Sequence, residues 1–421
     1  MKFIKTPVKG MCDMLPADMR LRECVFNMIK ESYSKYGFML IETPAMEHIE
    51  NLCSKQGGDN EKLIFQVLKR GQTLTKSLES GDYANLSDAG LRYDLTVPLA
   101  RYYANNQERL PSPFKALQIG SVWRAENPQK GRFRQFTQCD IDVLGDDSNL
   151  AEIELIAATA DMLSSIFQDI QIDGLTVHIN DRKLLRAICL QAGFDERDIP
   201  SVLVSLDKYD KIGLNGIQKE LFEKGFGESC IDNYLSFYDN IGLDCAAFCD
   251  TIDTEFLDRE IVDNLITIIQ SVKTLTDNNI NIVFDPTLVR GMGYYTGTIF
   301  EVSINGYNFS IAGGGRYDQM IGKFSGQNVC ACGFSIGFER IITILKDLQK
   351  ESKQINGNNL GILVHKNVSS EQLQHVFAEA KKLRETGMTV SIYPMKKNLN
   401  AQIKKLEDEG YTKFRKIYPQ N

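Results

Sequence analysis

The stretch that decides the reading of this chain runs from residue 120 to 145: Gly-Ser-Val-Trp-Arg-Ala-Glu-Asn-Pro-Gln-Lys-Gly-Arg-Phe-Arg-Gln-Phe-Thr-Gln-Cys-Asp-Ile-Asp-Val-Leu-Gly. It completes an apolar strand pattern that takes in Ala116, Leu117, Ile119, Val122 and Trp123. Asn127-Pro128 breaks the pattern, a pair that favours turns. Cations follow at Lys130, Arg132 and Arg134, and a second strand pattern returns through Phe136, Ile141, Val143 and Leu144. The expected unit is an antiparallel hairpin with Arg124 near the end of one strand. Such a hairpin can grip a polyphosphate, because the planar guanidinium fork matches phosphate oxygens with two parallel hydrogen bonds. The same residues also describe an edge hairpin with a solvated basic loop. The hairpin alone leaves both readings open.

Upstream, Leu21, Val25, Met28, Ile29 and Tyr33 lie at helical spacing within residues 17–37 and end at Gly37. Strand-like Phe38-Met-Leu-Ile41 follows. Residues 60–145 read as short strands mixed with loops. Downstream, residues 151–168 form an apolar helix pattern (Ile153, Ile156, Ala160, Leu163, Phe167). From 174 to about 280 the texture is helical and charged, as in Arg182–Ala192 and Ile217–Lys224, and reads as an inserted domain. Strand signals resume at Ile280–Phe284 and continue through 315. Residues 350–359 are polar and rich in Gly and Asn, a linker pattern. The last segment alternates strand Leu360–Val364, helix Ser370–Thr386, strand Val390–Pro394, helix Leu399–Gly410 and Phe414–Tyr418, a parallel α/β pattern. Its end, Lys413-Phe-Arg-Lys-Ile-Tyr-Pro419, is too charged for a buried central strand.

The 421 residues are 43% apolar and 24% charged, which fits a globular protein of two to four domains. A net charge of −7 excludes a broadly basic surface but not local RNA-binding patches. No run of eighteen apolar residues predicts a membrane span, and the N-terminus lacks the apolar core of a signal peptide. Ten scattered cysteines suit a reducing, cytoplasmic setting. The close pairs Cys245/Cys249 and Cys330/Cys332 have no histidine beside them, so no zinc site and no metal ligand is expected.

Two further segments join the hairpin: Leu288-Val-Arg-Gly-Met-Gly-Tyr-Tyr-Thr-Gly-Thr-Ile-Phe-Glu301 and Gly333-Phe-Ser-Ile-Gly-Phe-Glu-Arg-Ile341. Together they resemble the signatures of the histidyl-tRNA synthetases, a class II aminoacyl-tRNA synthetase family. The hairpin is similar to class II motif 2 and the segment through Arg340 to motif 3. Lys9-Gly-Met-Cys-Asp-Met-Leu-Pro16, Leu91-Arg-Tyr-Asp-Leu-Thr-Val-Pro98 and Gly313-Gly-Gly-Arg-Tyr-Asp318 match as well. The resemblance runs from about residue 5 to 410, weakest between 174 and 280 and beyond 395.

It implies an α+β fold: an antiparallel class II sheet with flanking helices, a helical insertion and a short C-terminal α/β domain. The expected partition is a catalytic first part over 1–173, the insertion over 174–280 and a catalytic second part over 281–350. A linker over 351–359 and a truncated anticodon-binding-like domain over 360–421 follow. The resemblance also implies histidine activation with ATP and Mg2+, transfer to tRNA(His), and a homodimer built on the motif 1 helix and strand.

Residue by residue, it places Arg124 and Arg290 on opposite sides of the α-phosphate as catalytic cations. Arg340 would reach the far phosphates, Arg132 would help with the triphosphate, Phe136 would stack on adenine and Glu126 would stand near its amino group. Asp94, Thr96 and Gln138 would hold the α-amino group of L-histidine. Asp142 and Tyr295 would bracket its imidazole, with Tyr294 beside the pocket. The glycines at 313–315 would line that pocket. A carboxylate plus a phenol supplies the acceptor and donor that an imidazole needs.

Two departures from the family pattern stand out. Gly293 replaces an Asp, which is expected to loosen the signature strand. Asn127 stands where bacterial members often carry Arg, which is expected to change contacts to the tRNA acceptor end. The C-terminal domain reads about a third short. Two alternatives stay open: a histidine-binding regulatory subunit of ATP phosphoribosyltransferase, which shares this fold, and a paralogue that activates histidine but charges tRNA poorly. The intact 128–134 loop and the C-terminal segment favour the synthetase.

Overall fold

The computed structural model describes residues 3–53, 63–128, 133–168, 174–276, 280–291, 293–349 and 359–420. The chain divides into two compact units, Met1–Cys12 with Val25–Thr343, and Asp13–Cys24 with Ile344–Asn421.

The larger unit is organised by an eight-stranded sheet. Its strand order is Met39–Ile41, Phe114–Trp123, Gln135–Leu144, Ala331–Ile336, Ala312–Arg316, Thr298–Ile304, Leu175–Asp181, Ile280–Phe284. The two outermost pairings are parallel and the inner ones antiparallel. The hairpin expected from the sequence pairs Phe114 with Leu144 through to Trp123 with Gln135. Strand residues alternate faces, and this alternation sorts the hairpin's chemistry. Cys139, Ile141 and Val143 are buried on one face, while Gln138, Asp140 and Asp142 share the other. The Leu150–Phe167 helix follows, with Leu155, Ile156, Ala160, Met162 and Leu163 buried, and Thr159 hydrogen-bonds the buried Tyr33 hydroxyl at 3.2 Å.

Three expectations change. Residues 60–145 are not only strands and loops, since helices Gly71–Glu79 and Thr96–Asn106 lie within them. Pro98, a breaker in mid-helix, falls in the first helical turn, where its missing N–H costs nothing. The segment read as a helical insertion from 174 opens on a strand of the main sheet, Leu175–Asp181, and its helices start at Arg182. The Arg290–Tyr295 signature, expected on a strand, lies in the connection between Ile280–Phe284 and Thr298–Ile304. Pro286 and Gly291 supply the turn chemistry that interrupts pairing there.

The smaller unit holds a parallel three-stranded sheet in the order Thr389–Pro394, Asn359–Val364, Lys413–Ile417. The charged last strand sits at an edge, where its lysines and arginine reach solvent. Helix Ser370–Glu385 begins on a capping box, with Ser369 and Gln372 exchanging side-chain and backbone bonds. The linker expected over 351–359 lies, up to residue 358, outside the described residues.

Candidate active site

The polar face of the hairpin and the strands beside it form the floor of a cavity of ≈ 420 Å³. Eleven of the twelve residues given a substrate contact in the sequence line it, and of the three glycines expected to line the pocket Gly313 does. Arg132, the twelfth, lies outside the described residues.

One end is acidic. Asp94 precedes the Thr96–Asn106 helix, and its Oδ1 accepts from the Val97 N–H at 3.1 Å. Its Oδ2 is buried without a hydrogen-bond partner. Thr96 stands at the start of that helix, buried beside it. Asp142 accepts the Tyr317 hydroxyl on Oδ1 at 2.6 Å, and its Oδ2 is again unpartnered. Gly333 faces this carboxylate so closely that a Cβ there would lie 2.0 Å from Asp142 Oδ1. Burial pushes the Asp142 carboxyl up to about 7; the Tyr317 hydrogen bond opposes the shift and the charge of Asp94 adds to it. Burial also raises the carboxyls of Asp94 and Asp140. Gln138 donates through Nε2 to Ser335 Oγ at 3.0 Å, leaving its buried Oε1 unpartnered. Tyr294 and Tyr295 close this end with ring centres 4.8 Å apart, and burial keeps both phenols protonated.

The other end is cationic. Arg124 extends the first hairpin strand, its Nε donating to the Tyr93 carbonyl at 3.0 Å and its guanidinium 5.1 Å from the Phe136 ring centre. Glu126 follows it into the cavity wall, and its carbonyl accepts from Arg134 Nε at 2.9 Å. The early Lys9-Gly10 motif meets the hairpin here: Arg134 N–H donates to the Gly10 carbonyl at 2.8 Å. Gly10 has φ +85°, and a Cβ on it would come within 2.8 Å of both Arg134 and Pro128. Arg290 pairs with Glu301 and lies flat against Gly313, where a Cβ would approach its Nη1 to 2.5 Å. Its Nε is buried without a partner. Arg340 donates to the Ser310 carbonyl at 2.5 Å and stands 5.4 Å from the Phe309 ring centre.

Sequence reasoning missed Asp140, Ser335, Glu301, Tyr317 and Asp207, all of which line the cavity. Three were within reach. Asp140 lies between Gln138 and Asp142 at the two-residue spacing of a strand face, Glu301 closes the quoted 288–301 segment, and Tyr317 lies inside the Gly313–Asp318 motif. Asp207 comes from the helical stretch, in the phrase Leu206-Asp-Lys-Tyr-Asp-Lys-Ile-Gly213, far in sequence from the hairpin. Burial raises its carboxyl while the charge of Arg290 opposes the shift. Among the described residues, no group of three or more His, Cys, Asp or Glu is arranged to hold a metal ion.

The family model described as histidyl-tRNA synthetase matches residues 10–341. The chain belongs to that family. The histidine–tRNA ligase of Leifsonia xyli subsp. xyli is 41% identical over 419 residues, covering 97% of this chain and 94% of that protein. That of Flavobacterium johnsoniae is 34% identical over 417 residues, covering 92% and 86%. Among solved structures, the family member from Nostoc sp. PCC 7120 superposes with a TM-score of 0.77 at 27% identity, over 97% of this chain and 90% of that one. A Bacillus halodurans C protein described as an ATP phosphoribosyltransferase regulatory subunit/histidyl-tRNA synthetase also gives 0.77, over the full length of both chains. At 20% identity it shows the shared fold alone. Among the described residues no helix is long and apolar enough to cross a membrane.

Proposed function

We propose that this chain is a histidine–tRNA ligase, which activates histidine with ATP and transfers it to tRNA(His). The observation that carries the reading is one cavity holding three buried acceptors without partners, Asp94 Oδ2, Gln138 Oε1 and Asp142 Oδ2, and one buried donor, Arg290 Nε. Each such atom costs about 1–3 kcal/mol while unpaired, so the cavity favours a ligand that brings donors to the acid end and an anion to the cationic end. Histidine offers an ammonium to Asp94, Thr96 and Gln138, and ring nitrogens to Asp142 and Tyr295. Its carboxylate then points toward the arginines. A ligand without ring nitrogens would leave Asp142 unpaired and be rejected.

In the first step a carboxylate oxygen of histidine bonds to the α-phosphorus of ATP as the bond to the β-phosphate bridge breaks and pyrophosphate leaves. Arg124 and Arg290 would stabilise the charge that develops on the phosphoryl oxygens, Arg340 would bind the departing phosphates, and Phe136 would pack on adenine with Glu126 near its amino group. These arginines stay protonated, so their part is electrostatic. In the second step a terminal ribose hydroxyl of tRNA attacks the acyl carbon and AMP leaves. Magnesium prefers oxygen ligands and keeps waters. It would be held mainly by ATP phosphate oxygens together with a motif carboxylate.

The family reading supports a homodimer through residues 17–50, where Met39, Leu40 and Met46 are exposed. It supports a helical insertion, beginning at Arg182 rather than 174, that meets the acceptor arm, and a tRNA-contacting role for residues 360–421. Ten cysteines scattered along the sequence suit the cytosol. The test is ATP–pyrophosphate exchange with each amino acid, followed by tRNA charging. Exchange with histidine alone, and then charging, is expected. A protein that binds histidine but exchanges no label would favour the regulatory-subunit reading.

A further inference from the structure

We propose that Asp140, acting through Ser335, is a positioning residue that fixes Gln138 as a hydrogen-bond acceptor toward the substrate ammonium. This rests on the reading of the cavity as a histidine site.

The observations form a chain of three side chains. Gln138 Nε2 donates to Ser335 Oγ at 3.0 Å, and Ser335 Oγ donates to Asp140 Oδ1 at 2.5 Å. Asp140 and Ser335 are direct partners across adjacent strands, and Gln138 lies two residues before Asp140 on the same strand face. Asp140 is 4% exposed. The far atom of the chain, Gln138 Oε1, is buried in the cavity wall with no partner.

A carboxamide presents either a carbonyl or an NH2 at little intrinsic cost, so the neighbours must choose. A serine hydroxyl has one hydrogen. When Asp140 Oδ1 takes it, only lone pairs of Ser335 remain for Gln138, and those bind the NH2 side of the amide. The carbonyl is then turned into the cavity that Asp94 also lines. Were the serine hydrogen free to point at Gln138, the amide could turn and offer NH2 to the cavity, which repels an ammonium. Burial and the charge of Asp142 hold the Asp140 carboxyl well above its ordinary value. A proton on Oδ2 would leave Oδ1 an acceptor, so the direction of the relay does not depend on that charge.

The test is calorimetric titration of the full chain with histidine and with imidazolepropionate, which lacks only the ammonium. The readout is the ratio of the two affinities within each variant, which cancels any loss of folded protein. Wild type should prefer histidine. Ser335→Ala and Asp140→Ala should each lower the ratio about ten-fold, the size of a hydrogen bond to a charged group, while Ser335→Thr, which keeps the hydroxyl, and Asp140→Asn, which keeps an acceptor for it, should leave the ratio near wild type. If Ser335→Ala does not fold, Asp140→Ala carries the same comparison. Equal weakening of both ligands, leaving the ratio unchanged, would make the chain a packing feature and overturn the proposal. A wild-type protein that binds no histidine would sink the underlying reading, and the relay with it.

Discussion

At the acid end of the cavity, Asp94, Gln138 and Asp142 each keep one buried oxygen without a partner, whereas at the cationic end each described arginine is anchored by at least one donor and only Arg290, at Nε, keeps a buried polar atom unpartnered. Arg124 is fixed by the Tyr93 carbonyl, Arg290 by Glu301 and Arg340 by Ser310. The difference follows from what each group can do. A guanidinium carries five N–H donors, so one or two can anchor it while others wait for phosphate. A carboxylate oxygen that has been satisfied is no longer waiting. On the proposed reading, the acid end would select a ligand through its unpaired polar atoms, and the cationic end would meet developing charge with donors fixed in advance.

The largest effect should come from removing a prepared cation. Arg290→Ala is expected to lower histidine-dependent pyrophosphate exchange by ~10²-fold or more, by analogy with other donors to developing charge, with a much smaller change in histidine affinity. An interaction that matters most in the transition state acts on turnover. Equal losses in rate and affinity would recast Arg290 as a substrate clamp and erase the contrast between the two ends.

The acid end should announce itself in stability. Asp142 titrates at about 7 in the folded chain because it is buried, and near 3.8 when unfolded. Between these values the folded state keeps a proton that the unfolded state has released, so stability falls as pH rises from about 4 through about 7. The loss from this one group is on the order of 2 kcal/mol between pH 5 and pH 7. Asp142→Asn keeps an acceptor for the Tyr317 hydroxyl but cannot ionise. The variant should therefore match wild type near pH 4 and melt higher near pH 7.5, while losing affinity for histidine. Parallel melting curves across that range would show that Asp142 is not strained by its burial.

The same contrast governs what the sequence disclosed. The hairpin was legible because two apolar alternations flank a turn pair, and the C-terminal unit because its periods change from two to helical and back. The cations were legible because each sits in a motif with fixed neighbours. Their anchors were not: the Tyr93 carbonyl is a backbone atom, and Ser310 lies 30 residues from Arg340. Asp140 escaped notice because its role depends on Ser335, 195 residues away and adjacent only once the strands pair. The Thr96–Asn106 helix was hidden by Pro98, whose meaning changes with its position in the turn. The strand expected at Arg290 is interrupted by the turn chemistry of Pro286 and Gly291, and the Arg290 side chain reaches Glu301 and Gly313 from that connection.

The smallest effect offers the sharpest separation of the two ends. At Gly313 a Cβ would lie 2.5 Å from Arg290 Nη1 and 2.6 Å from both its Cζ and its Nη2, the three heavy atoms nearest to it. Gly313 pairs within the sheet with Glu301 on one side and Ser335 on the other, in extended backbone that alanine also adopts. The fold should tolerate Gly313→Ala, since what must yield is the end of a flexible side chain. The guanidinium would lift off the strand and strain its pairing with Glu301. Turnover in the exchange assay should drop a few-fold, roughly the cost of misplacing one preorganised donor without removing it. Histidine affinity and melting temperature should stay near wild type, because the three atoms nearest the new methyl all belong to Arg290. A variant that loses histidine binding as much as turnover would show that the two ends are coupled through this strand, not built separately.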